Sequence, residues 1–286
     1  MNAIKSAAIA LREQSLQPDP RQLSLVAIIT AFKAQCRVIH ALIMRETLTR
    51  YGDYKIGFLW GFLEPLAAVL IFAGIFAAIR TDSPSGMPLF QFMLTGFVPF
   101  TLFRGPWGQM QSAIGQNKAL LSFPQVTTFD VLAARCILEV LITLLVFGIL
   151  LMGCHLVGFE IRVERPMEVL YALGLLTSIG AGMGFLFAAL EPLIPSVKKL
   201  TTTILGRPLF LGSGLFFTAE TIPMPARDYL LYNPIIHCLE LLRGAFFYEF
   251  ETNHGSWEYA TAWALGSLAV GLTAHRALRR RSIVGL

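Results

Sequence analysis

Uncharged apolar stretches recur along the chain at lengths that suit membrane-crossing helices. Phe58–Ile79 is interrupted only by Glu64, and Pro88–Phe103 runs uncharged and continues past Arg104 to about Ser112. Val140–Phe159 is uncharged, in a helix expected to begin near Phe129, and Val169–Leu190 carries no charge. Leu200–Ala219 carries only Arg207, and Trp257–His275 only Glu258 near its start. A hydrocarbon core about 30 Å thick takes roughly 20 apolar residues at helical rise. The pattern predicts an all-α polytopic membrane protein whose residues 57–286 hold six transmembrane helices.

Two regions break that rhythm. After a polar tail at 1–24, Leu25, Ile29, Phe32, Cys36, Ile39 and Ile43 recur at alternating steps of four and three, with Lys33, Arg37 and His40 to the side. This describes an amphipathic helix lying in the inner membrane interface, part of a cytoplasmic element at 25–56. A helix packed on a partner's soluble domain would give the same pattern. The second region is 220–256. Ile222-Pro-Met-Pro225 interrupts the chain, Asn233-Pro234 supplies a cap and a first-turn proline, and Ile235–Phe247 is apolar but too short to span. A segment of that length reads as re-entrant or interfacial, and neighbouring protein must then satisfy its irregular backbone.

Composition narrows the class. The 286 residues are 55% hydrophobic and 14% charged, against about 25% charged in an ordinary soluble domain. A soluble enzyme of this size is excluded, because much of any globule's surface must still meet water. The net charge of +5 is a topology signal, with no support for nucleic-acid binding. Lys5, Arg12, Arg21, Lys33, Arg37, Arg45, Arg50 and Lys55 precede the first span, and Arg276, Arg279, Arg280 and Arg281 follow the last. Lys118, Lys198 and Lys199 fall in loops on the same side, so the positive-inside rule makes both termini cytoplasmic. An even number of spans agrees. The polar tail contains Pro18 and Pro20 and does not read as a cleavable signal, so the first span is expected to direct insertion. The four cysteines and five histidines are dispersed, which predicts neither a disulfide framework nor a metal site.

No glycine is followed by lysine, so the phosphate-cradling G-x-x-x-x-G-K-[ST] loop is absent, as are G-x-S-x-G and H-E-x-x-H. The chain is therefore expected to bind no cofactor of its own and to take energy from an ion gradient or another polypeptide. Charges within spans are costly and mark function by default. At 1.5 Å per residue, Glu64, Arg104 and Arg207 lie about 10–12 Å from the inner ends of their spans, with Arg135 and Glu139 at similar or shallower depth. This layer could pair as Glu64–Arg104 and leave guanidinium groups for a phosphate or carboxylate; a purely structural pair with snorkelling arginines is the alternative. Trp60 and Trp107 fall near the inner ends of spans one and two, and the 22 phenylalanines suit lipid-facing packing or stacking on sugar faces. Together Trp60, Glu64, Arg104, Trp107, Arg135 and Arg207 are candidates for a substrate path. Between spans two and three, Gln116–Phe129 is mildly amphipathic, and Leu120, Leu121 and Phe123 suggest insertion into a partner or the interface.

Arg45-Glu-Thr-Leu-Thr-Arg-Tyr51 followed by Lys55-Ile-Gly-Phe-Leu-Trp60-Gly-Phe-Leu-Glu-Pro65 resembles the entry to the first span of ABC-2 type exporter permeases. Asn117-Lys-Ala-Leu-Leu121 before Pro124, and Tyr232-Asn-Pro-Ile-Ile-His237 running into Glu240-Leu-Leu-Arg243, are similar to the capsular and O-antigen polysaccharide branch. The resemblance extends from about Ile28 to the basic tail. It implies an inner-membrane exporter of two copies of this chain and two ATP-binding cassette subunits, which bind the ATP and Mg. The implied cargo is a lipid-linked acidic polysaccharide, handed to periplasmic co-polymerase and outer-membrane export proteins. In that family the N-terminal helix and the loop between spans two and three dock the ATPase. Carried over, the docking residues are Lys33, Arg37, Arg45, Arg50, Asn117, Lys118, Leu120, Leu121 and Phe123, with a coupling loop at 113–128. The outer helices at 220–256 gate the mouth in the family, which assigns Tyr232, Asn233, Glu240 and Arg243 to a gate. A permease for a lipid or drug is the nearest alternative, and a membrane-embedded glycan- or lipid-modifying enzyme a more distant one.

Overall fold

A computed structural model describes residues 25–51, 57–79, 88–123, 125–159, 163–194, 196–247, 250 and 252–284. Among them the chain is all helix and turn, with no strand. The long helices are α1 (Leu25–Tyr51), α2 (Gly57–Ile79), α3 (Leu89–Gln111), α6 (Thr128–Leu156) and α7 (Pro166–Leu190). Two single turns, α4 (Ala113–Gln116) and α5 (Lys118–Leu121), link α3 to α6. Next, α8 runs unbroken through Ser196–Lys199, a π-helical Leu200–Leu205 and Gly206–Gly212. The short α9 (Ala226–Leu230) and α10 (Pro234–Phe246) follow, and α11 (Trp257–Val284) closes the chain.

Capping sets several of these boundaries. Thr127 and Asp130 form a reciprocal capping box at the start of α6, with the Thr127 amide donating to Asp130 Oδ2 at 2.9 Å. Asn233 caps α10 by accepting from the Ile235 amide at 3.0 Å, with Pro234 in the first turn, as the sequence predicts.

Helix α3 is the hub, touched by α2, α6, α7 and α10. Phe92, Met93, Leu94, Leu102 and Phe103 are fully buried there, against Leu176 of α7 and Leu239 and Leu242 of α10. Helix α7 meets α3 and α11 backbone to backbone. A Cβ at Gly180 would come 2.3 Å from the Phe103 carbonyl oxygen, and one at Gly271 would come 2.1 Å from that of Gly182. Small residues permit such contact where lipid supplies no hydrophobic drive.

A second apolar cluster marks one end of the bundle. Leu42 of α1 packs there with Met110, Ile114, Leu132, Phe185 and Ala188. Polar contacts tie the same end together: Gln35 Nε2 to Asp130 Oδ1 at 3.0 Å, Thr201 Oγ1 to Gln111 Oε1 at 3.0 Å, and Thr128 Oγ1 with His275 Nε2 at 3.1 Å. The start of α7, the start of α11 and all of α10 meet at the opposite end. Arg165 donates to the Gly244 carbonyl at 2.7 Å, and the Ser256 amide donates to His237 Nδ1 at 3.1 Å.

The helices differ from the sequence expectation in four places. The fifth apolar stretch is helical only to Gly212, short of Ala219, because Ser213–Thr218 turns away through Gly214 at φ +77 and is held by polar side chains. The last helix continues past His275 to Val284. Among the described residues, four helices are long and apolar enough to cross a membrane, over Ala27–Arg50, Gly61–Ile79, Thr128–Leu156 and Pro166–Leu190. Helix α1 is thus apolar enough to join this set. Its predicted stripe is split, since Ile29, Phe32 and Cys36 are exposed while Ile39 and Ile43 pack on the second cluster. Helix α3 falls outside the set; its interior carries Gln91, Thr95 and Gln111, which face protein.

Candidate functional site

The predicted docking residues gather at the α1 end. Lys33, Arg37 and Arg45 are exposed along α1, and Lys118 and Phe123 are exposed on the linker between α3 and α6. Leu120 and Leu121 instead pack inward on the second cluster with Val126 and Phe129. Asn117 is buried, donating to the Ala113 carbonyl at 3.0 Å and accepting from Arg45 Nη1 at 3.0 Å. Its role is to join the linker to α1. Beside these residues an open cleft of about 610 Å³ is lined by Gln35, Arg37, Val38, Gln125, Thr127 and Asp130.

The charges expected to form one layer are divided between inside and outside. Glu64, Arg104 and Arg207 are exposed, and no ion pair joins Glu64 to Arg104 among the described residues. Trp60 belongs to α2, with its side chain outside the described residues. Trp107 is buried against Phe103 and Phe187, at ring separations of 5.5 and 5.7 Å. Arg135 is buried too. It pairs with Glu46 of α1 at 3.0 Å and donates to the Gln109 carbonyl of α3 at 3.2 Å. One turn along α6, Glu139 pairs with Arg50 of α1 at 2.9 Å and lies over Gly105 of α3, where a Cβ would come 2.6 Å from its Cγ. Glu139 stands out in the sequence as a charge near the start of its span, but its pairing with Arg50, and that of Glu46 with Arg135, does not, because each runs between elements far apart in the chain.

Many phenylalanines face one another inside the chain. Phe97 of α3 is 4.9 Å from Phe72 of α2, 5.8 Å from Phe210 of α8 and 5.4 Å from Phe216. Phe72, Phe76, Phe210 and Phe216 remain half-exposed, so this cluster presents an aromatic edge beside α8.

At the opposite end the predicted gate residues Asn233, Glu240 and Arg243 converge on the irregular segment 213–219. Asn233 Nδ2 donates to the Gly212 carbonyl at 3.1 Å and to Ser213 Oγ at 3.0 Å. Arg243 Nη1 donates to the Gly214 carbonyl at 2.7 Å, and the Ala219 amide donates to Glu240 Oε1 at 3.0 Å. Glu240 also accepts from Thr252 at 3.1 Å. Arg243 is fully buried, its guanidinium 3.8 Å from the centroid of the Phe92 ring and its Nη2 3.5 Å from the Phe92 carbonyl. Gly96 leaves the room, since a Cβ there would come 2.6 Å from Arg243 Nη2. Tyr232 is different: its ring is exposed and its carbonyl accepts from the Tyr259 hydroxyl at 2.8 Å. Among the described residues, no group of His, Cys, Asp and Glu could hold a metal ion.

The sequence profile of the ABC-2 type transporter family matches residues 37–247. The chain belongs to that family. Its relatives include the polysialic acid transport protein KpsM of Escherichia coli, 31% identical over 249 residues that cover 86% of this chain and 95% of the relative. The capsule polysaccharide export inner-membrane protein CtrC of Neisseria meningitidis serogroup A is 28% identical over 257 residues, 88% of this chain and 95% of CtrC. BexB of Haemophilus influenzae, likewise named a capsule polysaccharide export inner-membrane protein, is 30% identical over 241 residues, 83% of this chain and 89% of BexB.

Proposed function

We propose that this chain is the transmembrane permease subunit of an ATP-driven exporter that moves a lipid-linked, acidic capsular polysaccharide across the bacterial inner membrane. The observation that carries this reading is the end-to-end similarity to inner-membrane proteins named for capsule polysaccharide export. The complex contains two copies of this chain and two ATP-binding cassette subunits, and hydrolysis belongs to the latter. It delivers the glycan to periplasmic co-polymerase and outer-membrane partners. Helices α2, α3, α6, α7, α8 and α11 cross the bilayer, α1 lies at the cytoplasmic interface, and α9 with α10 re-enters from the periplasmic side. Both termini are cytoplasmic.

In this reading the exposed α1 residues Lys33, Arg37 and Arg45, with Lys118 and Phe123, meet the ATPase. The buried Asn117, Leu120 and Leu121 hold that surface in shape, and Arg50 braces it. The exposed charges Glu64, Arg104 and Arg207 face the substrate path, where the arginines meet phosphate or carboxylate groups. Trp107 and Arg135, shielded by their own chain, support the wall of the path. The enclosure of α10 on every side supports its re-entrant placement, since backbone at membrane depth must be satisfied by protein.

The test is deletion of the gene followed by staining for surface polysaccharide and assay of intracellular glycan. Loss of the surface polymer with accumulation inside, restored by the gene in trans, is the expected result. Unchanged surface glycan would refute the reading. The purified chain should hydrolyse no ATP until its cassette partner is added.

A further inference from the structure

Arg45, Glu46 and Arg50 each reach across to another element, Glu46 and Arg50 also lie 4.0 Å apart, and together they build a two-rung ladder across three helices. In the first rung Glu46 of α1 pairs with Arg135 of α6 at 3.0 Å, and Arg135 reaches the Gln109 carbonyl of α3 at 3.2 Å. In the second, Arg50 of α1 pairs with Glu139 of α6 at 2.9 Å, and Glu139 packs over Gly105 of α3. The rungs are one helical turn apart on all three helices. Arg45, just before the first rung, holds Asn117 in the linker at 3.0 Å.

We propose that this ladder is the mechanical coupler of the exporter, with Glu46 and Glu139 as its positioning residues. The inference rests on the reading of the chain as the permease of an ATP-driven exporter. The linker α4–α5 is strung between α3 and α6, the two helices that the ladder fastens to each other and to α1. A force on α1 or on the linker therefore moves α1, α3 and α6 as one body. Without the rungs, α1 remains attached to α6 through its apolar face and through Gln35–Asp130, and it can rock on that contact without carrying α3 along. The rungs are mostly shielded from water, so removing a carboxylate leaves its arginine partner unbalanced in a low-dielectric setting, whereas the shorter aspartate keeps the charge. Glu46 and Glu139 act through Arg135 and Arg50, which hold α6 and α1 in place.

The experiment compares Glu46→Gln and Glu139→Gln with the charge-keeping Glu46→Asp and Glu139→Asp in the full complex with its cassette subunits. Co-purification reports assembly, ATP hydrolysis reports the motor, and surface polysaccharide in a deletion strain reports export. The expected result is normal assembly, hydrolysis retained, and export reduced about 10-fold in the Gln variants, within the span of coupling free energies between distant sites. The Asp variants export more than the matching Gln variants. Export at the parental level in both Gln variants overturns the coupler, as does equal loss of hydrolysis and export in the Gln and Asp variants alike. A parental complex without ATP-dependent export overturns the exporter reading itself and the coupler with it.

Discussion

At the scale of single residues, the most constrained group in the molecule is the guanidinium of Arg243. It is fully buried, it donates to the Gly214 and Phe92 carbonyls, and it stacks on the Phe92 ring. A planar fork serves these three contacts at once, and an ammonium cannot. Arg243→Lys is expected to lower stability by about 1–3 kcal/mol, the cost of leaving a buried acceptor unsatisfied. Arg243→Gln should do at least as much harm. Thermal midpoints of the purified protein in one detergent check this, and midpoints equal to the parent's would refute the pinning role. Arg243 and Asn233 were legible in the sequence as unusual residues on a short apolar helix. Their partners were not, because Gly214, Gly212 and Phe92 contribute main-chain carbonyls, which every residue has. The Glu64–Arg104 pair fails for a related reason. Equal depth along two helices says nothing about which faces they turn, and both side chains turn outward.

Among the elements, helix type and order were legible throughout the apolar stretches, while the end of α8 was not. Ser213–Thr218 is as apolar as the helix before it, and only the capping groups brought in from α10 stop the helix there. The contact of α7 with α11 was equally hidden, although its glycines are plain to see. Helix α7 carries Gly174, Gly180, Gly182 and Gly184, and only their neighbours in space separate the essential from the incidental. Gly182→Val would set its Cβ 2.4 Å from the Ser267 carbonyl carbon, against unyielding backbone. Overpacking of this kind costs about 1–3 kcal/mol or more. Gly174, just over two turns earlier, has nothing within 4 Å of an added Cβ. Gly174→Ala should therefore be neutral or stabilise by up to about 1 kcal/mol, since glycine inside a helix is entropically unfavourable. Parallel thermal melts of the two variants separate them, and equal losses would contradict the close crossing.

For the molecule as a whole, two independent lines bear on how the chain sits in the membrane. The first is charge: basic residues crowd the segment before the first span and the end of α11, the pattern of a cytoplasmic side. The second is packing. His275, near the end of α11, meets Thr128 at the start of α6, and Gln35 of α1 meets Asp130 two residues on. The first and last helices therefore share one end of the bundle, and Arg165, the end of α10 and Ser256 share the other. Helices joined end to end in this way return to their starting side only after an even number of crossings. The prediction is that a cysteine placed at Val163 or Asn253 reacts with a membrane-impermeant thiol reagent from the periplasmic side. One at Ser122 or Arg276 should react only after the inner membrane is opened. The native cysteines require replacement first, because Cys36 is itself exposed at the α1 end. Labelling of Val163 but not Arg276 in intact cells supports six crossings with both termini cytoplasmic. Labelling of Arg276 but not Val163, with the N-terminal side still cytoplasmic, would require an odd number, with α1 as the extra span that its apolar composition allows. That result would also detach the Glu46–Arg135 rung from the cytoplasmic face, since α1 would then run through the bilayer instead of along it.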